Sequence, residues 1–138
     1  MYIDSHCHLD ASEFGNDPAA LAAEAAASGV SWIVLPAVER TNFSTVAQLA
    51  TNLPNCVYAL GIHPLFVPQA TENDLLILRD TVAAAMTDQR FVAIGEIGLD
   101  FFVPALKLAP MRETKLLPSL VMTGTPIHIA CSEVVPPL

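Results

Sequence analysis

Basic side chains are scarce: six lysines and arginines stand against 14 aspartates and glutamates, a formal net charge of −8. Binding nucleic acid through charge alone needs clustered Lys and Arg on the phosphates, so that mode is excluded. Phosphoester chemistry itself is not, because a bound divalent cation would reverse the local field. Long hydrophobic runs are also missing. The most apolar stretch, Val30 to Val38, is about half of the roughly 20 residues a bilayer demands. Asp4, His6 and His8 stand where a secretory leader would be basic and then apolar, so neither export nor a membrane partner is expected. Cysteine is sparse. Cys7, Cys56 and Cys131 show no CxxC spacing, an odd set that suits a reduced, cytoplasmic protein.

What is present is apolar substance: 53% of the 138 residues are hydrophobic, too many for a disordered chain. At this length roughly two thirds of the unfolded surface can be buried, so a single domain over residues 1–138 is expected. Short β-branched runs alternate with helical patterns. Tyr2 to His6, Ser31 to Leu35, Val57 to Ile62 and Phe91 to Glu96 read as strands, and Thr125 to Cys131 as a fifth. Between them, Asp17-Pro18 opens an alanine-rich helix that Gly29 closes, Thr41 or Asn42 opens a second, and Thr71 with Asp74 forms a capping box for a third. Strand starts recur roughly every 30 residues, the length of one strand–helix unit.

Near-continuous apolar strands with helices between them imply an α/β fold with a parallel sheet covered on both faces. Periodicity leaves open whether that sheet is doubly wound or belongs to a TIM-type barrel of (β/α) units. A whole barrel takes about 250 residues, so this chain would supply about four to five of its eight units. After Arg112 the character changes. Leu117-Pro118 interrupts the expected helix and Pro136-Pro137-Leu138 ends the chain, so residues 113–138 are read as an atypical tail of a truncated domain.

The chemistry gathers at strand ends. His6 and His8 flank Cys7 at the end of the first strand, and alternation sends both imidazoles to one face and Cys7 to the other. Two converging imidazoles are half of a metal site, whereas Cys7 reads as a small buried residue. Glu96 closes the fourth strand within Gly95-Glu96-Ile97-Gly98-Leu99-Asp100. It stands on the rim where parallel α/β folds keep their sites, with the reach to bridge two ions or to hold one beside His6 and His8. Gly95 and Gly98 would let the backbone turn sharply there. Asp100 is a secondary candidate that could equally cap a helix, hold a metal ligand in place from behind or form a salt bridge. In Gly61-Ile62-His63-Pro64 the proline ends the third strand and leaves His63 exposed on the same rim, suited to hold a phosphate or carbonyl or to move a proton.

Taken in order, Tyr2-Ile3-Asp4-Ser5-His6-Cys7-His8-Leu9-Asp10, Gly61-Ile62-His63-Pro64 and Gly95-Glu96-Ile97-Gly98-Leu99-Asp100 resemble the TatD family of metal-dependent hydrolases and deoxyribonucleases. The resemblance reaches from residue 1 to about residue 113 and looks like the amino-terminal half of a family member. It implies a TIM-type barrel of the amidohydrolase kind and a centre of one or two divalent ions, with Zn, Mg, Mn and Ni not distinguished. By the same resemblance His6 and His8 are metal ligands, Glu96 is the bridging catalytic carboxylate, and His63 is the catalytic histidine of the third-strand loop. Relatives place a further histidine where this chain has Ala130; His128, two residues earlier, is the candidate substitute. Their last histidine and an aspartate would lie beyond Leu138.

The function expected from these residues is hydrolysis of phosphodiesters by a metal-activated water, with DNA or a small phosphodiester as substrate. A second reading is an amide- or ester-cleaving amidohydrolase. Many of these bridge their metals with a carboxylated lysine, but Lys107 and Lys115 stand at no expected strand end. A third is a non-catalytic remnant that binds metal weakly and self-associates through the open edge of an incomplete barrel.

Overall fold

Asp17 starts the first helix by local chemistry: its carboxylate accepts the Ala20 N–H at 2.9 Å, and Pro18 takes the first helical position, where no amide donor is needed. The computed structural model describes residues 1–15 and 17–98, together with the backbone of 127–130. Its elements in chain order are β1 (Tyr2–Asp4), α1 (Pro18–Ala27), β2 (Val30–Pro36), α2 (Phe43–Asn52), β3 (Cys56–Leu60), α3 (Glu72–Ala85), β4 (Phe91–Ile97) and β5 (Ile127–Ala130). Short 3-10 turns lie at Ser12–Phe14, Arg40–Asn42 and Pro64–Phe66. Gly29 passes from α1 into β2 at φ 92°, a conformation that suits glycine.

The five strands form one sheet in the order β1-β2-β3-β4-β5, every neighbouring pair parallel. That order settles the choice left open by the sequence. A doubly wound sheet reverses direction at a switch point, whereas here each strand adds to the same edge, as in a barrel. Right-handed crossovers all turning one way place the described helices, α1 to α3, on one face. On that face lies the large core, where Ile33, Leu35, Tyr58, Leu60 and Ile94 meet Ala22 of α1, Phe43, Val46 and Ala50 of α2, and Leu78, Val82 and Ala85 of α3. The spacing of the buried residues in α2 and α3 is one helix stripe each.

Of the two arrangements the sequence left open, the incomplete TIM-type barrel is the one observed. The second cluster contains strand residues alone, Val34, Ala59 and Ala93 with Val57 and Val92 beside them. These small side chains suit the concave inner side of a barrel-type sheet. β1 is also shorter than expected and stops at Asp4. Asp100, Lys107, Lys115 and Cys131 lie outside the described residues. Of the tail at 113–138 only the β5 backbone is described. Among the described residues no helix is long and apolar enough to cross a membrane.

Candidate metal centre

Asp4 ends β1 and starts the site. Its Oδ1 accepts the His6 N–H at 3.0 Å, a local turn that competes with sheet pairing. Cys7 still donates its N–H to Val34 at 3.0 Å, so the chain runs on beside β2 with His6 and His8 on either side of that anchor. Ala11 N–H donates to the His8 carbonyl at 2.9 Å and closes the following turn, while Leu9 is buried in the core. The histidines thus stand just past the strand rather than within it. Burial, followed by the Asp4 and Asp10 carboxylates, pushes the Cys7 thiol above its ordinary value, and its side chain packs against the core.

Glu96 reaches the same point from β4. His6 Nε2 lies 3.4 Å from Glu96 Oε1 and His8 Nε2 lies 3.5 Å from Oε2. The two Nε2 atoms are 3.0 Å apart. The Glu96 side chain is 5% exposed, against 39% for His6 and 31% for His8, so the group is closed behind the carboxylate and open in front of the imidazoles. Glu96 Oε2 is buried without a hydrogen-bond donor. A buried carboxylate oxygen left so is costly, which makes a cation the natural complement.

A divalent ion fits this donor set. Ligand atoms on a tetrahedral ion with bonds near 2.0–2.1 Å stand about 3.3–3.4 Å apart, and on an octahedral one about 2.8–3.0 Å. The two Nε2 atoms at 3.0 Å match the octahedral edge, and the 3.4 and 3.5 Å separations, which end on different oxygens of Glu96, lie close to the tetrahedral one, with all three ligand groups within 4.8 Å of one another. Two imidazoles and one carboxylate are also the ligands of hydrolytic sites that keep a coordination position open. His6, His8 and Glu96 are the one such group among the described residues.

His63 arrives from the loop after β3. Its N–H donates to the Val38 carbonyl at 2.8 Å, and its Nδ1 accepts the Leu65 N–H at 3.0 Å. An accepting Nδ1 puts the proton of the neutral ring on Nε2, which lies 3.5 Å from Glu96 Oε1. His63 is thus a donor aimed at the carboxylate. The expected exposure of its ring is corrected: the side chain is only 13% exposed, because capping the Pro64–Phe66 turn folds it inward. Its ring stands edge-on to Phe66.

The structure brings His6, His8, His63 and Glu96 together from three strand ends. Asp100 lies outside the described residues. The His128 backbone pairs opposite Ile94 in β5, and nothing beyond that placement bears on it. Gly61 and Asn42 carry weight that the sequence did not display. A Cβ on Gly61 would sit 2.6 Å from the Gly95 carbonyl carbon and 2.7 Å from Glu96 N, so only glycine lets the β3 and β4 ends approach this closely. Gly61 belongs to the Gly61–Pro64 motif, which was its one visible signal.

Residues 3–115 match the family model described as TatD related DNase. The chain is 40% identical over 101 residues to YjjV of Escherichia coli strain K12, an uncharacterized metal-dependent hydrolase, with 73% of this chain and 38% of that protein aligned. It is 33% identical over 108 residues to an uncharacterized metal-dependent hydrolase of Haemophilus influenzae, with 76% and 40% aligned. The crystal structure of the TatD homologue YjjV from E. coli K12 superimposes with a TM-score of 0.76 at 36% identity, over 86% of this chain and 44% of the other. The chain thus spans about two fifths of the length of the curated relatives it matches.

Proposed function

This chain belongs to the TatD related DNase family, and from that premise we propose that its centre serves metal-dependent hydrolysis of phosphodiester bonds, with DNA as the substrate class. The observation that carries the proposal is the convergence of His6 and His8 on a buried Glu96 whose Oε2 lacks any donor. The family model is itself described by DNase activity, which supports the phosphodiester reading.

His6, His8 and Glu96 would hold the ion, the imidazoles through Nε2 and the carboxylate supplying negative charge from behind. The chemistry such an ion supplies is polarisation of a phosphoryl oxygen and a water acidic enough to attack near neutral pH. His63 presents an Nε2–H beside Glu96, fixed by its Nδ1 contact with Leu65, and would donate a hydrogen bond to a phosphoryl oxygen as negative charge develops there. Glu96 Oε1, 3.5 Å from His63 Nε2 and 3.4 Å from His6 Nε2, couples the donor to the ligand set. With a net charge of −8, attraction for a polyanion must come chiefly from the ion.

The test is release of nucleotides from a DNA oligonucleotide in the presence of Mg, Mn, Zn or Ni. Activity that EDTA and His6→Ala both abolish is the expected result. A purified chain that takes up metal and hydrolyses no phosphodiester with any of the four overturns the proposal.

A further inference from the structure

Asn42 sits one residue before Phe43, which is buried in the core, so its backbone is anchored while its side chain turns toward the rim. Its Oδ1 accepts the Val38 N–H at 3.1 Å and the Glu39 N–H at 3.2 Å. Two amide donors at one end of the group require that end to be the oxygen, which leaves the NH2 at the other. That Nδ2 donates to Asp10 Oδ2 at 2.8 Å, across 32 residues of sequence.

Each partner leads to the centre. The backbone of 37–39 carries the attachment of two site residues, for the Val38 carbonyl accepts the His63 N–H at 2.8 Å and the Ala37 carbonyl accepts the Glu96 N–H at 3.4 Å. Asp10 belongs to the turn closed by Ala11 N–H on the His8 carbonyl, two residues from the His8 ring. One side-chain amide therefore spans the loop bearing His6 and His8 and the loop against which His63 and Glu96 are held. Aspartate at this position would keep the two backbone contacts but lose the donor and face Asp10 as a like charge.

We propose that Asn42 is a positioning residue for the metal centre, setting the distance between the His6–His8 turn and Glu96 and thereby the affinity for a divalent cation. This rests on the reading that His6, His8 and Glu96 hold such an ion. Residues that orient metal ligands in this way commonly change affinity by about 10–100-fold when removed.

The experiment measures Zn2+ affinity of the full chain by chelator competition, alongside thermal melting in EDTA, for wild type, Asn42→Ala, Asn42→Asp and the exchange Asp10→Asn/Asn42→Asp. The exchange restores the donor from the other side and leaves net charge unchanged. Its side-chain amide at position 10 can donate to the carboxylate at position 42, which still accepts from the Val38 and Glu39 amides. Expected are an affinity loss of about 10–100-fold for Asn42→Ala, a loss at least as large for Asn42→Asp, and recovery of most of it in the exchange. Should Asn42→Ala fail to fold, the comparison of Asn42→Asp with the exchange decides alone. Affinities equal to wild type in the single variants, or an exchange that folds yet binds no better than Asn42→Asp, overturn the inference. A wild-type chain that binds no Zn2+ overturns the metal reading beneath it, an outcome visible before any variant is made.

Discussion

Gly61 and Gly95 meet backbone to backbone: a methyl group on Gly61 would stand 2.6 Å from the Gly95 carbonyl carbon and 2.7 Å from its oxygen. Backbone cannot swing aside as a flexible side chain can, so the ends of β3 and β4 would have to part. Gly61→Ala is expected to destabilise the fold by about 1–3 kcal/mol, the usual cost of overpacking. It also moves Glu96 away from His6 and His8. Urea unfolding together with Zn2+ uptake checks this, and a variant with unchanged stability and uptake contradicts the close approach.

Much of this arrangement was legible in the sequence, and what was not has physical reasons. The Asp17-Pro18 start of α1 and the Thr71–Asp74 capping box were visible because capping is decided by neighbours three residues apart. His6 and His8 were visible as an alternating pair at a strand end, and His63 and Glu96 because each closes an apolar run. Strand order was not, since periodicity reports which residues are buried and not which strand lies next. That α1, α2 and α3 share one face followed only from that order. The inward turn of His63 depended on a hydrogen bond to Leu65, and the role of Asn42 on a partner 32 residues away. Contacts of both kinds leave no periodic trace.

His63→Asn separates metal binding from hydrogen-bond donation to the substrate. An asparagine side-chain oxygen can accept the amide two residues on, as Nδ1 of His63 does with Leu65, so the turn at Pro64–Phe66 should persist. What it cannot supply is the imidazole Nε2–H beside Glu96. Metal content should match wild type while turnover falls by about 10²–10³-fold, the range of a lost hydrogen-bond donor to a developing oxyanion. Mass spectrometry of bound metal and single-turnover kinetics would show this; loss of metal in the variant would make His63 a ligand instead.

Glu96→Gln should reverse its effect with metal. In EDTA at pH 8 the wild type buries a carboxylate oxygen that has no donor, and neutralising the group should raise stability by about 1–3 kcal/mol. With Zn2+ at about 1,000 times its dissociation constant, the wild type gains about 4.1 kcal/mol from binding and the variant gains little. The two melting curves therefore exchange order between EDTA and Zn2+. If Glu96→Gln melts below wild type in both conditions, the buried charge was already compensated in the metal-free protein.

Asp74 gives the acid limb of the stability profile. The Thr71 hydroxyl, the Thr71 amide and then Arg40 hold its carboxyl below the ordinary value of 3.8, at 2.7, 2.8 and 3.1 Å respectively. A carboxyl whose folded value is depressed contributes stability that is complete above its unfolded value and disappears as pH falls through the folded one. The loss from this group thus begins near pH 4 and runs lower, where protonation weakens the carboxylate's half of the capping box at the start of α3 and its tie to Arg40 in the loop after β2. Asp74→Asn keeps an acceptor for the Thr71 amide but carries no proton-dependent charge. Its melting temperature should vary less than that of wild type between pH 5 and pH 2.5, followed by circular dichroism. Parallel curves over that window would mean that the Thr71 and Arg40 contacts do not survive in solution, and the carboxyl would then titrate as it does in the unfolded chain.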